Sequence, residues 1–181
     1  MTRRVSHDHN FKNLILDYPR QALTLFAADE AVDIDETVQI IPIRQEQLKD
    51  RLGDRFRELD VPLLVEWPDG RREALLFVLE EETRPSQFSI YRLGHYCLDL
   101  AEMFDTNRVI PVVIFLNPGA SQRRLVLGSE RYRYLDFQYL AYDLPNTPVE
   151  KYWNSNNLVA RLNLPNMRWS SHQKVDVYAQ A

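Results

Sequence analysis

The chain has 181 residues, 45% hydrophobic and 11% aromatic, enough for one domain with a real core and too apolar for extensive disorder. A single cysteine, Cys97, excludes an intramolecular disulfide and a cysteine-rich zinc site. With no signal-peptide pattern and no apolar run near the ~18 residues of a membrane helix, the sequence predicts a soluble, cytoplasmic protein with no membrane partner. The net charge is −4, from 22 basic and 26 acidic side chains, and a globally acidic balance argues against a nucleic-acid binder. The clusters RLGDRFRE and SQRRLVLGSERYR can still supply positive charge locally, the alternative for both being ordinary solvated surface.

Between His9 and Ala28, Phe11, Leu14, Ile15, Tyr18, Ala22, Leu25 and Phe26 recur at spacings of three and four, which predicts helix, kinked or split at Pro19. TVQIIPI reads as a short strand that Pro42 assigns to a sheet edge, and QEQLKDRLGDRF as a helix or helical turn. ELDVPLLVEW and EALLFVLEEE read as the two strands of an antiparallel hairpin around PDGRR, in which proline fixes one dihedral and Asp-Gly tolerates positive φ. The second strand lacks alternation and is expected to be central.

A helix follows from about Phe88 to Phe104, with Ile90, Leu93, Gly94, Cys97, Leu100, Ala101 and Phe104 on one face. Arg92, His95 and Asp99 form the opposite stripe, with Tyr96 at its edge. VIPVVIFL is the next buried strand, so strand, helix and strand form a parallel crossover. RLVLG and RYRYLDFQYLAYDL read as further strands or a strand and a short helix. VEKYWNSNNLVARL reads as one more helix, and the tail from Ser170 shows no core signature. The expected fold is therefore α/β in one domain spanning 1–181. Its core covers about 7–144, with a polar extension over 145–181.

In FVLEEETRP the central strand runs into Glu80, Glu81 and Glu82. With a two-residue loop, Asp69-Gly70, Asp60 lies opposite Leu79. With the loop Asp69-Gly70-Arg71, or Pro68 to Arg72, it lies opposite Glu80, and Glu58 opposite Glu82. Either register gathers Asp60 and the glutamates at one end of one hairpin. Opposed carboxylates there are destabilising unless water reaches them, a basic side chain pairs with them, or a divalent cation binds them. Cys97 on the apolar helix face reads as a core cysteine, and the three tryptophans are too scattered for a base-stacking platform.

HDHNFKNLI with Asp8, Phe11 and Lys12, Asp60 in LDVPLLVEW, the LEEET segment, and Pro85, Arg92 and Tyr96 in PSQFSIYRLGHY together resemble the PD-(D/E)XK nuclease superfamily. Within it they resemble the recombination-promoting nuclease (Rpn) and transposase-like group. The match spans roughly His7 to Leu144 and rests on the order and spacing of these residues together. The resemblance implies a restriction-endonuclease-like core, a mixed central sheet with an antiparallel hairpin and a parallel crossover, flanked by helices. It implies a DNA endonuclease, linked to recombination or transposition, that hydrolyses phosphodiesters with Mg2+ or Mn2+ and could dimerise to cut two strands.

Carried over, the metal ligands are Asp60, Glu80 and the Glu81 backbone carbonyl. The catalytic set is Asp60, Glu80 and Glu82, and the substrate contacts are Arg92 and Tyr96. The sequence departs from the pattern at Glu82, where the family keeps Lys or Gln; a carboxylate cannot supply a lysine's positive charge to the transition state. It can act as a general base or bind a second metal, or it marks an inactive module that binds nucleic acid or a protein partner. Pro68-Asp69 lies in the hairpin turn and is not the family's Pro-Asp pair.

Overall fold

The computed structural model describes residues 7–52, 61–80, 88–119 and 121–181, the side chains of 7–10, 45, 51–52 and 73–80 excepted. Two helices come first, α1 (His7–Asp17) and α2 (Pro19–Phe26). Pro19 separates them from the first position of α2, where its missing N–H costs nothing because no helical carbonyl would receive it. Then follow β1 (Gln39–Pro42), α3 (Gln45–Leu52), β2 (Val61–Glu66), β3 (Arg72–Glu80), α4 (Ile90–Phe104) and β4 (Val109–Phe115). The remaining strands are β5 (Arg124–Gly128), β6 (Arg133–Gln138) and β7 (Leu140–Asp143), and the remaining helices α5 (Leu158–Leu162) and α6 (Lys174–Gln180).

Five strands form one mixed sheet in the order β1-β2-β3-β4-β7, with β3 at its centre. β1, β2 and β3 pair antiparallel, whereas β3 with β4 and β4 with β7 pair parallel. Pro42 ends the edge strand β1, where a lost ladder donor is tolerated. The fold is thus α/β, with an antiparallel hairpin followed by a helical crossover to a parallel strand. β5 and β6 form a separate two-stranded hairpin.

The β2–β3 register differs from both alternatives read from the sequence. Glu66 pairs with Arg72 and Val61 with Phe77. The turn is Pro68-Asp69-Gly70: the Trp67 N–H donates to Arg71 O at 3.0 Å, and the Gly70 N–H to Trp67 O at 3.0 Å. Pro68 has no N–H to give the ladder and supplies its fixed φ to the turn, while Gly70 takes the left-handed conformation at φ 84°. Asp69 closes the turn by accepting the Arg71 N–H at 3.0 Å. Including the proline in the loop moves the pairing by one residue from the nearer expected register.

Side chains on the two sheet faces feed two cores. Val61, Leu63 and Val65 of β2 with Val112 and Ile114 of β4 pack against α1, α2 and the C-terminal elements. Leu64 and Val113 face the other way, into a cluster with Leu48 of α3 and Leu93, Cys97 and Leu100 of α4. Helix α4 starts at Ser89, whose Oγ accepts the Arg92 N–H at 3.3 Å, and ends at Asp105 in the left-handed region. Thr106 then donates to Arg72 O at 2.9 Å, tying the end of the crossover to the start of β3.

The C-terminal quarter corrects two expectations. The segment 149–162 is not one helix: a 3-10 turn at Val149–Lys151 is separated from the five-residue α5, which Asn157 caps by accepting the Ala160 N–H at 3.0 Å. Asn157 also donates to Gln21 O of α2 at 2.8 Å, so a polar side chain sets the break and docks it. The tail from Ser170 is not devoid of core residues either: its Val177 is fully buried, in the same cluster as α1 and α2 and with Val149, Val159, Ala160 and Leu164 from before it. Their spacing is irregular because short turns, rather than one helix, present them.

Candidate functional site

The three parallel strands end level with one another: Glu80 of β3 pairs with Phe115 of β4, which pairs with Asp143 of β7. In open α/β sheets the crevice outside the carboxyl ends of parallel strands is where ligands bind, since loops splay there and the strands' polar ends meet solvent. Glu80 therefore occupies the expected edge of the central strand. Asp60, Glu81 and Glu82 lie outside the described residues, as does the side chain of Glu80. The acidic cluster is thus represented by the backbone of its first member.

Arg92 stands exposed in the first turn of α4, close in sequence to the N-cap Ser89. Tyr96 is 7% exposed and packs in the second core with Leu93 and Cys97, so its helix face is wider than the sequence stripe suggested. The tyrosine body fills the interface between α4 and the sheet. Burial pushes the thiol of Cys97 up to about 12, as befits a core cysteine rather than a reactive one.

Two groups at this edge escaped the sequence reading as site residues. Arg123 stacks with its guanidinium 4.6 Å from the ring centre of Phe115 and 5.8 Å from that of Tyr139. Phe88, just before α4, meets the same rings edge-on and tilted, at 6.0 and 5.3 Å. The Tyr139 hydroxyl donates to Gln122 O at 2.9 Å and lies 3.0 Å from Ser121 Oγ, which anchors the chain leading to Arg123. Arg123 is exposed, and a guanidinium held over aromatic rings keeps its fork of N–H donors, which suits phosphate. Arg123 belongs to a basic cluster visible in the sequence, but nothing in the sequence places it beside Glu80's neighbour.

The second group is Asp143. Its Oδ2 accepts from Asn146 Nδ2 at 2.7 Å, while Oδ1 is buried without a hydrogen-bond partner. An unpaired buried acceptor costs about 1–3 kcal/mol, so a water, donor or cation arriving there would be stabilised. The sequence signal was the same as at Glu80: an apolar strand, here LAYD, closing on a carboxylate.

Among the described residues, no group of three or more His, Cys, Asp or Glu side chains could hold a metal ion. The donors that the resemblance implies are two carboxylates and a carbonyl, hard oxygen ligands that suit Mg2+ or Mn2+ by their chemistry. Among the described residues no helix is long and apolar enough to cross a membrane. No family model, curated protein or solved structure matches this chain.

Proposed function

We propose that this protein is a divalent-metal-dependent DNA endonuclease of the PD-(D/E)XK type, hydrolysing phosphodiester bonds at the carboxyl end of β3. The observation that carries the reading is the placement of Glu80. It ends the central strand, in register with Phe115, on which the Arg123 guanidinium is stacked. An acidic strand end beside an exposed guanidinium held over an aromatic ring suits a phosphate held against a cation. Asp60, Glu80 and the Glu81 carbonyl would hold Mg2+ or Mn2+. The cation, when bound, supplies charge against the scissile phosphate and makes water a competent nucleophile.

The chain's own residues do the rest. Arg92 and Arg123 hold phosphate oxygens through planar forks of N–H donors. Glu82 serves as general base for the attacking water. Supercoiled plasmid incubated with Mg2+ or Mn2+ should be nicked by the wild type and left intact by Glu80→Ala. Equal cutting by the two would remove Glu80 from the chemistry.

Glu82 and the acidic charge balance favour a second reading, a fold that binds nucleic acid or a protein partner without cutting. Glu82→Lys separates the two. An inactive wild type whose variant gains nicking would establish a site lacking only its cationic group.

A further inference from the structure

The β5–β6 hairpin stands apart from the main sheet, its strands pairing only with each other among the described residues. Its inner face is anchored: Leu125 is buried, and Phe137 packs in the core cluster that contains α4. The period-two alternation of strands turns Val126 outward, and Tyr134 stands exposed at the bulge where the pairing steps from Leu127–Leu135 to Gly128–Arg133. Tyr132 and Tyr134 are 64% and 78% exposed, and their ring centres lie 6.3 Å apart. Exposed tyrosines side by side are unusual on a surface that has no apolar partner to cover.

Charge is concentrated on the same element. Between Ser121 and Gln138, Arg123, Arg124, Arg131 and Arg133 stand against only Glu130 and Asp136, in a chain whose net charge is −4. Arg124 is committed to Asp136 through two hydrogen bonds. Arg133 reaches the same carboxylate at 3.9 Å and remains 70% exposed, and Arg123 and Arg131 are exposed. At its base, Arg123 connects the hairpin to Phe115 and hence to the strand edge of Glu80.

We propose that this hairpin binds single-stranded nucleic acid, Tyr132 and Tyr134 on its outward side stacking on bases while Arg131 and Arg133 beside them, and Arg123 at its base, hold phosphates. Stacking on a protein ring requires a base whose face is open, which a duplex does not offer, so the tyrosine pair selects single strands. Arginines interleaved with aromatics follow the alternation of phosphate and base along one strand. The proposal deepens the nuclease reading and rests on it for the link between binding and cutting. The hairpin would feed a strand past Arg123 towards the β3 end.

The test is fluorescence anisotropy with labelled oligothymidylate of about 20 nucleotides, longer than the roughly 4–16 that one binding module covers, in EDTA so that cleavage plays no part. The paired substitution Tyr132→Ala, Tyr134→Ala should weaken binding about tenfold per ring, and Tyr132→Phe, Tyr134→Phe should bind like wild type. Arg123→Gln with Arg131→Gln should flatten the log Kd against log salt slope by about 1.4. Both tyrosines are largely exposed, so their truncation leaves the core intact.

Unchanged binding by the double alanine variant would overturn the proposal, as would a duplex of equal length binding as tightly as the single strand. Loss of nicking as a property of the wild type, with tyrosine-dependent binding intact, would overturn the nuclease reading alone. Glu80-dependent nicking with tyrosine-independent binding would overturn the hairpin proposal alone.

Discussion

Cys97 gives a direct probe of how α4 is seated. It is 8% exposed, packed with Leu93, Leu100 and Val113 where the helix meets β4. Burial raises its thiol from an ordinary value near 9 to about 12. At pH 8 that rise lowers the thiolate population about a thousandfold, and the thiolate is the species that attacks disulfides and alkylating agents. Reaction with Ellman's reagent at pH 8 should therefore be about a thousandfold slower in the native protein than in the chain unfolded by urea. The signal is unambiguous because the sequence holds one cysteine. A native rate within about tenfold of the unfolded rate would refute the packing of α4, and with it the seating of Phe88 against Phe115 at the strand edge.

The same shift has a sign for stability. The folded-state pKa is raised, so the thiol's contribution is fully present below about pH 9. It falls as pH rises from 9 towards 12, because the unfolded chain loses its proton first. Urea melts of the wild type and Cys97→Ala should accordingly converge in their relative stability as pH moves through that window.

Other measurements reach the remaining parts of the fold. Val177→Ala removes two buried carbons from a site with no exposure, at about 0.8 kcal/mol each before any cavity term, so urea denaturation should report a loss of about 2 kcal/mol. A loss under about 0.5 kcal/mol would mean that α6 is not part of the core. Gly128→Ala drives a Cβ into the Tyr132 carbonyl oxygen, a backbone contact that must open, at a cost of about 1–3 kcal/mol. Amide exchange across β5 and β6 should quicken; unchanged exchange would show that the bulge at Leu127 and Gly128 relaxes freely.

Several elements were legible because their cause is local. The period of Phe11, Ile15 and Ala22 and the proline between them specify α1 and α2 without reference to the rest of the chain. The unbroken apolar run of β4 specifies a strand covered on both faces, and the apolar stripe of α4 between two such strands specifies a crossover that covers one of them. Asp-Gly after a proline specifies a turn. Its length was not legible, because loops differing by one residue satisfy the same turn chemistry, and the choice belongs to the ladder formed with β4 and β1. The C-terminal elements were hidden for a related reason. Val149, Leu164 and Val177 have no common period, and only the surface of α1 and α2 makes them core residues.

The site divides along the same line. Sequence by itself determined that a central strand ends in carboxylates, that a helix with Arg92 follows, and that arginines and tyrosines alternate near residue 131, all matters of order along the chain. The tertiary structure decided that β3, β4 and β7 end at one level, that Asp143 shares the edge with Glu80, and that Arg123 stacks on Phe115 between them. These are contacts between residues tens of positions apart. Strand pairing and ring packing set them, and both depend on the whole sheet having formed.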